Sequence, residues 1–388
     1  MNTFTYYVPT KICFGKGQIS SLCAMSESGS RALLVYGGGS IKKSGLYVTV
    51  QDLLKKAGLT VFELAGVAPN PRVELVREGI LLCRREHIDM VLAVGGGSVI
   101  DTAKAVAAGT CYDGDVWDLV EDSSRIQAAL PIYTVLTLSA TGSEMNKNAV
   151  LSDMGRSIKK SMSSDLLKPR MSVCDPTYTF SVSRRQTAAG TADMISHTFE
   201  NYFSPVRDSF LTSRFGESVL KTCFHYGPIA LDEPDNYAAR ANLMWASTNA
   251  INGITKSGQE VGWSCHPMEH ELSAYYDINH GEGLAVLTPR WMRHILSPDT
   301  AWKFAEYGRN VWGITCEDDL QAAREAIDKT ASFFFDTLKM PGTLSELGIG
   351  EDKLEEMAAH AAPACAHAFV PLSQQDILAI YQDSMRPF

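Results

Sequence analysis

The segment VLAVGGGSVIDTAKAVA, residues 91–107, joins a short apolar run to three glycines and the first turns of a helix. Gly95, Gly96 and Gly97 have no Cβ, so their backbone N–H groups can approach an anion closely. The positive end of the following helix favours a phosphate at the same place. The segment therefore predicts a strand, turn and helix that bind a pyrophosphate, with a simple tight turn as the alternative.

The glycine spacing differs from the dinucleotide fingerprint GxGxxG. Ile100 stands where the third glycine would fall. That glycine normally allows close packing of helix on strand, so its absence weakens an ordinary Rossmann assignment.

Short apolar runs rich in β-branched residues recur on both sides of this segment, at 31–36, 59–64, 89–94 and 132–138. Amphipathic stretches of helical spacing separate them, which predicts β-α-β units and a parallel sheet. Beyond the polar stretch SVSRRQ the apolar runs become helix-length and amphipathic. We therefore expect an α/β domain over residues 1–183 and an all-helical domain over residues 184–388.

The length and composition of the chain limit the class of protein to which it can belong. At 388 residues the chain is long for one core, so two domains are expected. A net charge of −9 without a basic stripe argues against a nucleic-acid partner. No apolar run reaches the length of a membrane span, and the nine cysteines form no regular pattern. The sequence predicts a cytoplasmic protein that does not enter a membrane.

A second glycine segment follows the first predicted strand and consists of Gly37, Gly38, Gly39 and Ser40. An acidic residue at such a strand end binds the ribose diol of NAD and would repel a 2′-phosphate. No acid is present in this segment, and Lys42 and Lys43 follow closely. The segment therefore indicates a preference for NADP(H), with a loop carrying solvated lysines as the alternative.

Histidines and one aspartate form two clusters. In GTADMISHTFE, residues 190–200, Asp193 and His197 lie four apart and share one face of a helix. In CHPMEHELSAYYDINHGEG, residues 265–283, His266 and His270 repeat this spacing and His280 follows. Imidazole and carboxylate donors of this kind suit Fe(II) or Zn(II). The alternatives are a polar pair on a helix face and, for His270, a histidine hydrogen-bonded to the core.

Taken together, these motifs resemble the iron-containing (group III) alcohol dehydrogenase family, in its branch of butanol dehydrogenase-like, NADPH-dependent aldehyde reductases. The matching motifs, in family order, are FGKG, YGGGSIKKSG, PNP, VGGGSVIDTAK, ATGSE, GTADMISHTFE and HPMEHELSAYYDINHG. The resemblance spans nearly the whole chain and is specific only when the motifs are combined.

The resemblance implies a Rossmann-like domain and an all-α domain in a dehydroquinate synthase-like architecture, with cofactor and metal in a cleft between them. The implied metal ligands are Asp193, His197, His266 and His280. His270 becomes a candidate proton relay. The predicted cofactor contacts are Gly37, Gly38, Gly39, Ser40, Asn70, Gly95, Gly96, Gly97, Ser98, Asp101, Thr137, Thr141, Asn146 and Lys159.

The implied reaction is hydride transfer between NADP(H) and the carbonyl of a small or medium aldehyde, which the metal polarises. A homodimer is expected by resemblance. The alternative is a metal- and NAD-dependent lyase or synthase of the dehydroquinate synthase type. Such an enzyme is expected to line its cleft with basic residues for a phosphorylated substrate, and few occur around residues 262–276.

Overall fold

The computed structural model describes all residues, 1–388, and contains a six-stranded parallel sheet of order β1-β8-β5-β4-β2-β3 and a separate antiparallel pair, β6-β7. The strands are β1 (Lys11–Phe14), β2 (Arg31–Gly37), β3 (Thr60–Val67), β4 (Met90–Gly95), β5 (Ile132–Leu136), β6 (Asn148–Asp153), β7 (Ile158–Ser163) and β8 (Met171–Cys174). The parallel sheet confirms the predicted α/β class.

Strand β4 lies at the centre of the sheet and is buried along its whole length. Val91 and Ala93 enter one apolar core, while Leu92 and Val94 enter another. Successive side chains point to opposite faces of a strand, so both faces of the sheet are covered. This explains why the predicted strands appear as continuous apolar runs in the sequence.

Three of the predicted runs end at the same edge of the sheet. Gly37 closes β2 and Gly95 closes β4, where it pairs in register with Leu136 of β5. The N–H of Thr137 donates to the carbonyl of Gly95 at 3.0 Å. The carboxyl ends of parallel strands are where ligands bind in open α/β sheets, so this edge is the expected cofactor edge.

The chain also forms fourteen α-helices. They are α1 (Ser40–Lys43), α2 (Leu46–Lys56), α3 (Val73–Arg85), α4 (Gly97–Thr110), α5 (Val116–Glu121), α6 (Arg184–Tyr202), α7 (Phe210–Asp232), α8 (Tyr237–Ile251), α9 (Cys265–Tyr276), α10 (His280–Ile295), α11 (Ala301–Tyr307), α12 (Asp319–Ser332), α13 (Leu354–Cys365) and α14 (Gln374–Asp383). None of them is long and apolar enough to cross a bilayer, and no disulfide joins the nine cysteines.

Two compact units emerge, and they are not continuous halves divided at residues 183/184. The helical unit comprises Met1–Tyr6, Ser183–Glu233 and Asn249–Phe388, while the sheet unit comprises Tyr7–Val182 and Pro234–Thr248. The first residues join the helical unit because the N–H of Asn2 donates to the carbonyl of Gly258. Most of α8 joins the sheet unit because Met244 packs into its core and Thr248 donates to Glu144.

Candidate functional site

The triple glycine forms a turn into which no side chain would fit. Gly96 caps α4. A Cβ on Gly95 would lie 2.5 Å from the side chain of Val99, and one on Gly97 would lie 2.3 Å from that of Thr141. The glycines are therefore required by packing as well as by the predicted approach of a phosphate.

Asp101, which was predicted to contact the cofactor, is engaged by the protein itself. Its carboxylate accepts hydrogen bonds from the hydroxyl of Ser143 at 2.6 Å and the N–H of Val150 at 3.0 Å. Burial raises the pKa of this carboxyl, and the nearby Lys104 opposes that shift. The carboxylate thus holds the segment after β5 to helix α4, and its contact with the cofactor stays a prediction.

Lys104 makes a second connection between the same helix and segment. Its buried ammonium donates to the carbonyl and the side-chain oxygen of Asn146 and to the carbonyl of Asn148, at 2.8–3.0 Å. The sequence reasoning assigned Asn146 to the cofactor and did not single out Lys104. Of the other predicted contacts, Asn70 has left-handed backbone and Lys159 is buried on β7.

At the carboxyl end of β2, residues 37–40 form the turn into the short helix α1. The ammonium of Lys42 lies 5.0 Å and 4.8 Å from the ring centres of Tyr36 and Tyr47. Both tyrosine hydroxyls donate to the carboxylate of Glu63 at 2.6 Å. The carboxylate of Glu63, on the neighbouring strand β3, is thus engaged by tyrosines, and Lys42 is held at aromatic faces.

Three helices bring the predicted metal ligands together in the helical unit. Helix α6 carries Asp193 and His197, α9 begins with His266 at its second residue, and α10 begins at His280. From Asp193 Oδ1 the distances are 3.4 Å to His197 Nδ1, 3.6 Å to His266 Nε2 and 3.6 Å to His280 Nε2. Asp193, His266 and His280 each offer one donor atom within 4.8 Å of the others, and His197 adjoins them through Asp193.

The donor set fits a divalent metal ion. Asp193 Oδ1, His197 Nδ1 and His266 Nε2 are buried and have no hydrogen-bond partner in the protein. Unsatisfied buried polar atoms are costly, and a shared cation would satisfy all three at once. Imidazole and carboxylate donors are those that Fe(II) and Zn(II) prefer.

Two buried carboxylates that the sequence reasoning missed orient the imidazoles. Glu200 accepts from the N–H of His266 at 2.8 Å and lies 3.2 Å from its Nδ1, while Glu269 contacts Nδ1 of His280. A carboxylate at Nδ1 leaves Nε2 with the lone pair for a metal. Glu200 follows Asp193 by seven residues, so the helical stripe i, i+4, i+7 was the available signal.

Burial and mutual charge shift the pKa values of the proposed ligands in the protein without a metal ion. Burial raises the pKa of Asp193, but the three imidazoles outweigh it and hold the pKa below its usual value. Burial lowers the pKa of His197 to about 3. Burial also lowers the pKa of His266, yet the neighbouring carboxylates of Asp193 and Glu200 raise it to about 9. Because the pKa of His266 is raised, metal binding at this residue should release a proton.

Two further rings border the centre. The ring of His270 lies 5.8 Å from that of His280 and 6.4 Å from that of His266. The indole of Trp263 packs on His266 at 4.6 Å and donates to Asn201. His270 thus lies beside the centre, and its role as a relay stays a prediction.

Comparisons with known proteins bear on the family to which the chain belongs. The family model "Iron-containing alcohol dehydrogenase" matches residues 9–176, and the model for the C-terminal part of the Fe-containing alcohol dehydrogenase family matches residues 187–385. The chain is 51% identical to NADH-dependent butanol dehydrogenase A of Clostridium acetobutylicum, over 99% of this chain and 100% of that protein.

A second relative differs in the cofactor that its name states. The chain is 39% identical to NADPH-dependent aldehyde reductase YqhD of Escherichia coli, over 90% of each chain. The crystal structure of NADH-dependent butanol dehydrogenase A from Thermotoga maritima matches with a TM-score of 0.95 at 36% identity, over 100% of this chain and 99% of that one. Two family models that cover both parts of the chain, and relatives that align along its length, lead to one conclusion: the chain belongs to the iron-containing alcohol dehydrogenase family.

Proposed function

We propose that this alcohol dehydrogenase reduces small and medium aldehydes with NADPH and uses one divalent metal ion. We propose Fe(II) because the matching family model is that of iron-containing alcohol dehydrogenases. The proposed ligands are Asp193, His197, His266 and His280. The convergence of buried donor atoms that have no partner in the protein supports this proposal most directly. Such atoms are rare in folded proteins unless a ligand satisfies them.

The bound metal supplies Lewis-acid polarisation of the substrate carbonyl. The protein's own residues do the rest. Glu200 and Glu269 keep two imidazoles in the tautomer and orientation that leave Nε2 available. The side chain of His280 is 24% exposed, whereas that of His266 is 4% exposed, so His280 marks the open side of the donor set. His270, beside it, is the proposed donor of the proton that the product oxygen needs, because an imidazole can both bind and release a proton.

The proposed preference for NADP(H) depends on the end of β2. The segment 37–40 offers no carboxylate to repel a 2′-phosphate, the nearby Glu63 is engaged by two tyrosines, and Lys42 supplies a cation. The names of the relatives state both cofactors, so the preference is a proposal for this chain alone. Comparing kcat/KM for NADPH and NADH at saturating butanal, with metal-loaded protein, tests it.

A substitution that introduces a negative charge at Gly38 tests the proposed position of the 2′-phosphate. A Cβ on Gly38 would meet no atom within 4 Å, and this glycine lacks the positive φ of its neighbour Gly39. We expect Gly38→Asp to lower kcat/KM for NADPH by about 10- to 100-fold through repulsion of the 2′-phosphate, corresponding to about 1–3 kcal/mol. The value for NADH should stay within about threefold. Gly38→Asn, of equal size without charge, is the matched control.

Separate outcomes contradict separate parts of the proposal. A wild-type preference for NADH, or equal losses for both cofactors in Gly38→Asp, would contradict the NADP(H) assignment only. Absence of turnover with every aldehyde and both cofactors, in protein that holds the metal stoichiometrically, would contradict the proposed reaction. The lyase or synthase alternative is not favoured, since both family models and the aligned relatives are dehydrogenases or reductases. Homodimer formation and a cytoplasmic location stay predictions.

A further inference from the structure

An ion pair joins the first turns of two helices that carry proposed metal ligands. Arg185, the second residue of α6, donates to both carboxylate oxygens of Glu282 on α10, at 2.5 Å and 2.7 Å. The side chain of Glu282 is 5% exposed and that of Arg185 is 72% exposed. A buried carboxylate is therefore neutralised by a guanidinium that reaches it from the surface.

The helix backbones touch beside this pair. A Cβ on Gly281 would lie 2.1 Å from the carbonyl oxygen of Ala189 on α6. A Cβ on Gly283 would lie 2.9 Å from Glu269, the carboxylate that contacts His280. The first turn of α10 is thus seated by close packing on both sides, and any outward movement of this turn carries His280 with it.

We infer that the pair Arg185–Glu282 is a clasp that holds the first turn of α10 against α6 and so sets the distance between His280 and Asp193. Both are positioning residues: Glu282 lies two residues after His280, and Arg185 lies eight residues before Asp193 on the same helix. The inference rests on the proposed metal centre. It assigns this pair a part in retaining the metal that no sequence motif indicated.

The chemistry of the pair makes it sensitive to substitution. The guanidinium binds the carboxylate through two parallel N–H donors, a geometry that lysine cannot reproduce. Without Arg185 the buried carboxylate loses these donors, so the α10 turn is drawn toward water, which can supply others. His280 would then leave the metal more often, although no ligand has been changed.

A matched pair elsewhere in the chain supplies the control. Arg77, in the sheet unit, donates to both carboxylate oxygens of Asp115 at 2.8 Å and 3.0 Å; the match is in this two-donor geometry and not in burial, because the side chain of Asp115 is 45% exposed. Substituting Arg77 and Arg185 alike by Met removes one bidentate pair in each case and preserves most of the apolar stem. Only the pair at α10 should affect metal retention.

The experiment loads each protein with Zn(II) and follows transfer of the ion to an excess of a chelating dye. We expect Arg185→Met to release Zn(II) about tenfold faster than wild type, in the range seen when groups behind metal ligands are removed. Glu282→Gln and Arg185→Lys should release it at intermediate rates, and Arg77→Met at the wild-type rate. The melting temperature of metal-free Arg185→Met should fall further than that of Arg77→Met, because only Arg185→Met leaves a buried carboxylate without its donors, so the release rates are compared at a temperature at which both proteins are folded.

The release of Zn(II) from wild type and variants distinguishes an error in the inferred clasp from an error in the proposed metal centre. Wild-type protein that retains Zn(II) while Arg185→Met releases it within twofold of Arg77→Met would overturn the clasp alone. Wild-type protein that retains no Zn(II) would overturn the proposed centre and the clasp with it. If Arg185→Met does not fold, Arg185→Lys decides by the same comparison.

Discussion

Replacing the buried carboxylate behind His280 with its neutral isostere should weaken metal binding without disturbing the packing. Glu269 is fully buried, contacts Nδ1 of His280 and accepts from the hydroxyl of Ser273. In Glu269→Gln the amide oxygen can still accept from His280, and the amide nitrogen can donate to Ser273 after the hydroxyl rotates. The substitution therefore removes the charge while leaving both hydrogen bonds possible.

The expected loss follows from the nature of the hydrogen bond. A hydrogen bond to a charged group contributes about 1.5–3 kcal/mol, and each 1.4 kcal/mol or so is a factor of ten in affinity. The Kd for Zn(II) should therefore rise about 10- to 100-fold, as measured by competition with a chelating dye at pH 7. A Kd within twofold of wild type, in folded protein, would refute the reasoning.

A second buried carboxylate of the helical unit serves as the control for Glu269→Gln. Glu217 accepts from Tyr202 at 2.9 Å and from Arg214 at 2.6 Å, and it contacts none of the histidines. Glu217→Gln should lower the free energy of unfolding and leave the Kd for Zn(II) unchanged. If both variants weaken metal binding equally, the effect reflects a general loss of packing and not the charge behind His280.

Two further substitutions address the proton and the pH dependence of folding. His270→Ala should lower kcat for aldehyde reduction about 100-fold or more and change its pH profile; an unchanged rate and profile would exclude the relay. Burial raises the pKa of Glu306, but the charges of Lys303 and Arg214 outweigh it and hold the pKa below its usual 4.5. This stabilisation is complete above pH 4.5 and is lost as pH falls through the lower pKa of the folded state. Glu306→Gln should therefore reduce the dependence of the free energy of unfolding on pH in this acidic range, as measured by urea unfolding in the presence of excess chelator. An unaltered dependence on pH would contradict this assignment.

Several elements of the fold could be predicted from the sequence. The runs at 31–36, 59–64, 89–94 and 132–138 became β2, β3, β4 and β5, since buried parallel strands need apolar residues on both faces. Strands β1 and β8 and the β6-β7 pair were missed. The strands of four residues carry too few side chains for a pattern, and β7 reads IKKSMS, which is largely polar.

The candidate metal centre was predictable to a similar degree. Helical spacing within each cluster put Asp193 with His197, and the resemblance joined them to His266 and His280. Spacing carries no information about which distant helix approaches which, so Glu200 and Glu269 were overlooked although both lie within the quoted motifs. The same limit applies to Lys104, whose partners are 42 and 44 residues away along the chain.

By itself, the order of residues determined the parallel sheet, the glycine turn at its edge and the kinds of donor available to a metal, because these depend on local periodicity and side-chain chemistry. Tertiary structure alone decided which carboxylates are buried against imidazoles, how Arg185 meets Glu282, and why α8 belongs largely to the sheet unit. Those outcomes depend on close packing between segments far apart in the chain, where an approach such as Gly281 to Ala189 is set by the shape of two helices rather than by either one.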